Sequence, residues 1–303
     1  MRNTAVTSAG GVRLAVREAG PRQAPPIVLL HGWAQSSAVW AEQLAAAALT
    51  DRFRLVAADL RGHGDSDAPD HGYRDSDAWA DDVAALLAYA GADAVLVGWS
   101  YGGLVVTDYL RRHGTESVAG LVLVGAITEI GRDHPGGRVG PVMRAALPAA
   151  LDDDPAVAVP ALLEFTTGLA GGEVTGELAQ RLLGTALRVP PRVRAALFRR
   201  DVTSEDVLAA VDVPTLVLHG TRDAVVDPSA AEYAAGAIPG AELRWFDDTG
   251  HLPFVERAAE FTHELATFAD GCAAVRRLET APAAPAAGSS PGSSAVDSSE
   301  VVR

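Results

Sequence analysis

The chain contains no lysine, so all 25 of its basic residues are arginine, set against 39 aspartates and glutamates for a formal net charge of -14. A phosphate-binding chain gains affinity by clustering cations, so this balance works against nucleic acid and against anionic lipid surfaces. Neither partner is expected. Cysteine occurs once, at Cys272, which excludes an internal disulfide framework and any cysteine-based metal cluster. No apolar run approaches the ~18 residues of a membrane span, and "MRNTAVTSAGGVRL" at the N-terminus lacks the apolar stretch of a signal peptide. A soluble, cytoplasmic protein is the expectation. What the chain does have is 303 residues with 48% hydrophobic content, enough for one large α/β domain carrying an insertion.

Short β-branched runs alternate with longer alanine-rich segments of helical period, the pattern of βαβ units around a parallel sheet. Residues 12–17, after Gly10-Gly11, read as the second arm of an opening hairpin. Strands are then predicted over residues 27–32, 53–60, 94–100, 118–126, 214–220 and 241–248. Their apolar runs lack polar alternation, as expected of strands covered by helices on both faces. Helices are predicted over residues 37–49, 76–90, 101–113, 228–238 and 256–270. The third of these ends in Arg111-Arg112-His113-Gly114, with cations at the negative end of the dipole and a glycine to close it. From residue 127 to 211 the alternation breaks, and "RDHPGGRVGP", "LDDDP" and "RVPPR" punctuate helical fragments. The expected architecture is therefore a mostly parallel, doubly wound α/β sheet, residues 1–126 and 212–278, with a helical cap inserted at 127–211. Residues 279–303, mainly alanine, serine, proline and glycine, hold too little apolar bulk to offset ordering entropy and are expected to form a disordered tail.

In an open parallel sheet the chemistry belongs at the C-terminal ends of the strands. Ser100 sits there in Gly98-Trp99-Ser100-Tyr101-Gly102, a G-x-S-x-G sequence between a buried strand and an amphipathic helix. A strand-to-helix turn that tight forces the serine into an unfavourable backbone conformation and admits only glycine two positions to either side. It also presents the hydroxyl at a helix N-terminus, beside the Tyr101 N–H. A neutral serine hydroxyl needs a base, and the chain supplies His251 after the last predicted strand and Asp223 after the strand before it, in the order Ser, Asp, His. His251 would take the serine proton while Asp223 fixes its tautomer and stabilises the imidazolium. Asp227, Asp247 and Asp248 are rival acids; Asp223 is preferred because it comes within three residues of its strand's end, whereas Asp227 resembles the cap of the following helix. A second oxyanion donor is expected from the Trp33 N–H, at the end of "LLHGW", paired with that of Tyr101.

With "HGW", "DLRGHGDSD", "GWSYGG", "GTRDAVV" and "GHLPFVE" occurring in this order, the chain resembles α/β-hydrolase-fold serine hydrolases over roughly residues 4–271. Within that family, "HGWAQSSAVWAEQL", "RGHGDS", "WADDVAALL" and "RRHGT" look most like the cofactor-free haloperoxidase or perhydrolase branch and neighbouring small-molecule esterases. Tyr101 and Leu104 depart from the Thr or Met and third Gly common in that branch, and Ala34 stands where Pro is frequent. The resemblance implies ester hydrolysis through an acyl-enzyme on Ser100, without metal or other cofactor, on a small-molecule acyl substrate. Peroxide-dependent peracid formation and a non-catalytic ligand receptor on the same fold are the alternatives; the oligomeric state is open.

Asp59, Arg61, His63 and Asp65 in the glycine-rich turn, and His31, are expected to hold loops together by hydrogen bonds. Trp33, Trp99, Tyr101 and Leu252 are candidates for an apolar substrate pocket, with core packing an equal claim on Trp99. Arg188, Arg192, Arg194, Arg199 and Arg200 read as a solvated helix face rather than a patch that recruits carboxylate substrates or acidic carriers.

Overall fold

A computed structural model describes residues 1–280. Eight strands form one sheet: β1 (Arg2–Thr7), β2 (Arg13–Ala19), β3 (Pro26–Leu30), β4 (Arg54–Ala58), β5 (Ala94–Trp99), β6 (Val118–Val124), β7 (Thr215–Gly220) and β8 (Glu242–Phe246). Their order across the sheet is β1-β2-β4-β3-β5-β6-β7-β8. The opening hairpin pairs antiparallel, and β2 joins β4 the same way; every later pairing is parallel. β5, β6 and β7 are buried along their whole length, as their uninterrupted apolar runs require of strands covered on both faces.

Winding reverses between β3 and β5, which makes a crevice at the C-terminal ends of those two strands. Register sharpens this point, because Leu30 pairs with Gly98, and Trp99 with Val124, which pairs in turn with Leu218. The loops that begin at His31, Ser100, Gly125 and Thr221 consequently leave the sheet on one level.

Helices α1 (Ala41–Ala45) and α2 (Ala47–Thr50) follow β3, α3 (Ser76–Ala90) follows β4, and α4 (Tyr101–His113) follows β5. The last two have the bounds the sequence predicts, with Asp75 accepting from Asp77 N at one start and Gly114 at φ 64 closing the other. The single helix expected over residues 37–49 is instead a 3-10 turn (Ser37–Trp40) followed by α1 and α2, broken at an extended Ala46. That break allows Trp40, Leu44 and Leu49 all to be buried.

Between β6 and β7 lie α5 (Pro141–Ala150), α6 (Pro155–Thr167), α7 (Gly176–Leu187), α8 (Pro191–Leu197) and α9 (Glu205–Ala209). Three of them begin on proline, where the missing N–H costs nothing. This helical segment covers the C-terminal end of the sheet, touching it through Gln35 Nε2 to Leu182 O (3.3 Å), Trp33 Nε1 to Arg194 O (3.3 Å) and His251 N to Leu169 O (2.7 Å).

Its arginines differ from the expected solvated face. Arg188 binds Gly64 O and Asp65 Oδ1 at 3.0 and 2.5 Å, and Arg192 binds Ala68 O and Pro69 O at 2.8 and 2.9 Å. Arg194 and Arg200 are buried. Guanidinium forks satisfy several carbonyls at once: Arg188 and Arg192 fasten α8 and its flank to the turn after β4, Arg194 binds Ala150 O and Val189 O within the helical segment, and Arg199 makes no such contact among the described residues and is exposed.

After β7 come α10 (Ser229–Ala237), α11 (Pro253–Glu256) and α12 (Ala258–Thr280). The helix expected to end at residue 270 runs on to Thr280, because Ala, Arg and Leu after Gly271 sustain it. Residues 281–303, nearly all of the expected disordered tail, lie outside the described residues. Among the described residues no helix is long and apolar enough to cross a membrane.

Candidate active site

Ser100 occupies the turn between β5 and α4 at φ 55, ψ -120. A conformation of this kind costs a non-glycine residue about 1–3 kcal/mol and persists only where surroundings over-determine it. Here Ser100 N donates to Val124 O (3.0 Å), while Ser100 O accepts from Gly103 N (2.9 Å) and Ile127 N (3.2 Å). The flanking glycines are a steric requirement: a Cβ on Gly98 would lie 2.7 Å from Gly102 O, and one on Gly102 would lie 2.8 Å from Leu30 O. Across the crevice, Gly32 lies so near that a Cβ there would be 2.8 Å from Ser100 Cβ and 3.2 Å from its Oγ. Among the described residues the hydroxyl has no hydrogen-bond partner.

His251, on the loop after β8, brings Nδ1 to 2.6 Å from Asp223 Oδ2. A carboxylate only accepts, so Nδ1 carries the proton and Nε2 is left bare to act as a base. Asp223 Oδ1 accepts from Val225 N (2.8 Å) and Val226 N (3.0 Å), which fixes the carboxylate's plane. The rival acids are engaged elsewhere. Asp227 caps α10 by accepting from Ser229 N (3.0 Å), Asp248 pairs with Arg222 (2.6 Å), and Asp247 is exposed.

The His251 loop is held from three sides. His251 N donates to Leu169 O, its carbonyl accepts from Trp99 Nε1 (2.9 Å), and its ring packs 5.3 Å from that indole. Glu256 accepts from Gly250 N and Leu252 N, both at 3.1 Å, and from Gly171 N at 2.8 Å, tying the loop to the segment after α6. Neither Glu256 nor Leu169 carries a sequence signal for this role beyond the final residue of "GHLPFVE".

Trp33 N–H and Tyr101 N–H donate to nothing among the described residues. The first is aimed by His31: its Nε2 accepts from Leu60 N (2.9 Å), so its Nδ1–H donates to Gly32 O (2.8 Å). Turning that carbonyl toward His31 points the Trp33 N–H the opposite way, since the two groups of one peptide are antiparallel. Burial keeps the imidazole neutral for this task by pushing its pKa down. Neighbouring polar groups are structural, as expected. Asp59 accepts from Ser37 N (2.7 Å) and Asp65 N (2.8 Å), Arg61 grips Asp82 at 2.6 and 2.7 Å, and burial pushes His63 down to about 3.

Trp33 meets Phe165 and Phe198 edge-on, at 5.1 and 5.4 Å between ring centres, so the overlying helices complete an aromatic wall whose second half the sequence does not announce. Leu252 is buried beside His251, and Trp99 lies beneath it in the core. Tyr101 directs its hydroxyl to Leu197 O (3.3 Å) and accepts from Arg200 Nη1 (3.1 Å). Arg200 in turn reaches both oxygens of Asp108 at 2.7 Å. Burial pushes the Tyr101 phenol up to about 12, leaving it neutral. A cavity of about 370 Å³ bordered by Pro25, Phe53, Val95 and Cys272 touches none of these groups. Among the described residues no three His, Cys, Asp or Glu side chains gather as metal ligands.

Residues 25–258 match the family model described as the alpha/beta hydrolase fold. A solved esterase from a Rhodococcus species is 50% identical, superposes with a TM-score of 0.85, and aligns over 89% of this chain and 99% of its own. A non-heme chloroperoxidase of Streptomyces lividans is 35% identical over 259 residues, 81% of this chain and 92% of that protein. A pimeloyl-acyl-carrier-protein methyl ester esterase of Aromatoleum aromaticum is 35% identical over 243 residues, 76% and 92% of the two chains. With a serine on a strained elbow, a histidine oriented by a carboxylate, and a family match that takes in β3 to β8 and the loops around this crevice, the chain belongs to the α/β-hydrolase family.

Proposed function

We propose that the protein is a cofactor-independent serine hydrolase of the cytoplasm, cleaving small or medium carboxylic esters, with lactones and thioesters as chemically equivalent targets. The observation that carries this reading is the pairing of Asp223 with His251 at 2.6 Å, which leaves a bare imidazole nitrogen in the crevice that presents Ser100. Ser100 Oγ attacks the acyl carbon as His251 Nε2 takes its proton, and Asp223 stabilises the imidazolium that forms. The Trp33 and Tyr101 amides receive the oxyanion, and their fixed dipoles are worth most at the moment charge develops. His251 then protonates the leaving alkoxide, and water repeats the sequence in reverse to free the acid. In this reading residues 127–211 act as the cap that excludes bulk water, and Trp33 and Leu252 face the acyl group. Trp99 and Tyr101, expected pocket residues, support the site from behind, under the His251 loop and at the cap junction.

Ser100→Ala tests it: turnover of p-nitrophenyl esters is expected to fall at least about 10³-fold with folding intact, and retained turnover refutes the reading. A chain-length series of the same esters measures the acyl pocket.

The likeness to a chloroperoxidase supports a second reading, in which hydrogen peroxide replaces water at the acyl-enzyme and a peracid leaves. Halogenation of a dye in the presence of peroxide and a short carboxylic acid separates the two. Absence of fluorophosphonate labelling at Ser100 would favour a non-catalytic receptor, because labelling requires an activated nucleophile.

A further inference from the structure

Two imidazoles, not one, approach the carboxylate of Asp223. His219, the penultimate residue of β7, is fully buried and places Nε2 3.3 Å from Asp223 Oδ2, the oxygen that His251 Nδ1 approaches at 2.6 Å. The same Nε2 lies 3.2 Å from Val226 O. Both neighbours are acceptors, so Nε2 must carry the proton; it donates to Val226 O and lies beside Asp223 Oδ2. His219 Nδ1 is buried without a hydrogen-bond partner, so a second proton there would be an unsatisfied donor; the ring is a neutral Nε2–H tautomer. Its surroundings agree. Burial pushes the His219 imidazole down, against the pull of Asp223 and Asp227 and together with the push of His251. The ring is braced edge-on by Trp245 at 5.9 Å.

We infer that His219 is a positioning residue of the hydrolytic site: its Nε2–H, bonded to Val226 O and lying against Asp223 Oδ2, holds that oxygen in line with His251 and withholds part of the carboxylate's charge from the base. This rests on the serine-hydrolase reading above. The physical reason is that a carboxylate oxygen divides its charge among the positive ends of the N–H dipoles beside it. With His219 silent, Oδ2 serves His251 alone, stabilises the imidazolium more, and raises the pH at which the base loses its proton. The freed carboxylate edge can also tilt, carrying the imidazole off the line to Ser100 Oγ.

Three substitutions in the full chain separate positioning from packing. Gln places its amide nitrogen the same number of bonds from Cα as His Nε2, Asn places it at the Nδ1 position, and Phe keeps the ring without any donor. With p-nitrophenyl acetate, His219→Phe and His219→Asn are expected to lower kcat about tenfold, the low end of what loss of an orienting partner costs at comparable sites. KM should stay within about twofold, and the acid limb of kcat/KM should move up by about half a pH unit. His219→Gln is expected to restore both. The Nδ1 proton of His251, in its short bond to Asp223, should move in the proton NMR spectrum of the Phe and Asn variants and return in the Gln variant. An acid limb and NMR position unchanged in all three, or an equal loss in Gln, Asn and Phe, overturns the inference. If Phe does not fold, the comparison of Asn with Gln decides. Turnover that survives Ser100→Ala would instead refute the hydrolase reading, while the NMR comparison would still report on His219.

Discussion

A methyl group at residue 98 has nowhere to go. The Cβ of Gly98→Ala would meet Gly102 O at 2.7 Å, and that atom belongs to the backbone of the helix on which the elbow turns. Relief requires moving either β5 or the start of α4, both fully packed. Overpacking of this kind typically costs about 1–3 kcal/mol and backbone opposition pushes it upward. Gly98→Ala is therefore expected to lower stability by about 3 kcal/mol, read as a lower urea midpoint with an unchanged slope; a loss under about 1 kcal/mol would show that the elbow yields. At this scale the sequence is most legible where chemistry leaves a short-range signature. Ser100, its glycines, and the order in which Asp223 and His251 follow are visible in the string because each is tied to a strand end. Tyr101 is different, since the residue type reveals a large ring beside Ser100 but not that its hydroxyl is claimed by Arg200 and Leu197, about a hundred residues away in sequence.

Helix α4 and the segment just after α8 are joined by a buried ion pair with little slack. Arg200 and Asp108 have side chains with no solvent exposure, and burial pushes the Asp108 carboxyl up despite the guanidinium beside it. Removing one partner strands a buried charge, which costs about 3–5 kcal/mol, whereas replacing both by apolar groups of similar size is often near neutral. Arg200→Met alone is expected to fall in the first range and Arg200→Met with Asp108→Leu within about 1 kcal/mol of wild type, measured in a double-mutant cycle by urea unfolding. Additive losses would mean that the pair does not act as a unit. Helix ends are legible where the sequence carries an end signal, as in the Arg-Arg-His-Gly close of α4. The region of residues 37–49 is not, because alanine-rich periodicity continues through Ala46 with no proline or glycine to mark the break. Arginines 188–200 look like a solvated face in the sequence because periodicity shows which residues share a side of a helix and not what packs against it.

Three histidines buried in the neutral state, His31, His63 and His219, give the whole molecule an acid sensitivity. For His63 the folded value is about 3 against an ordinary imidazole value of 6.5. On acidification the unfolded chain therefore takes up the proton first. The stabilisation is complete above pH 6.5 and is lost as pH falls toward 3, at up to ~1.4 kcal/mol per pH unit for each such histidine. His31 and His219, lowered by the same cause, act in the same direction; Asp108, raised by burial, opposes them over part of the range. Urea midpoints should decline steadily as pH is lowered from 6.5, and a flat profile would refute the account. Fold class and sheet membership were legible at this scale because apolar runs and their spacing are local properties. The helical segment between β6 and β7 was legible only as an interruption, since contacts of this kind pair residues more than a hundred positions apart. A nearer contact of the same segment bears on how such proteins are remade. The backbone of His251 hangs from Leu169 O, and Glu256 spans the His251 loop and Gly171 N. Residues 169–171 thus belong to the mount of His251 as much as to the helical segment, and a chimaera that imports a relative's helical segment must keep this tripeptide from the host or import the matching histidine loop with it.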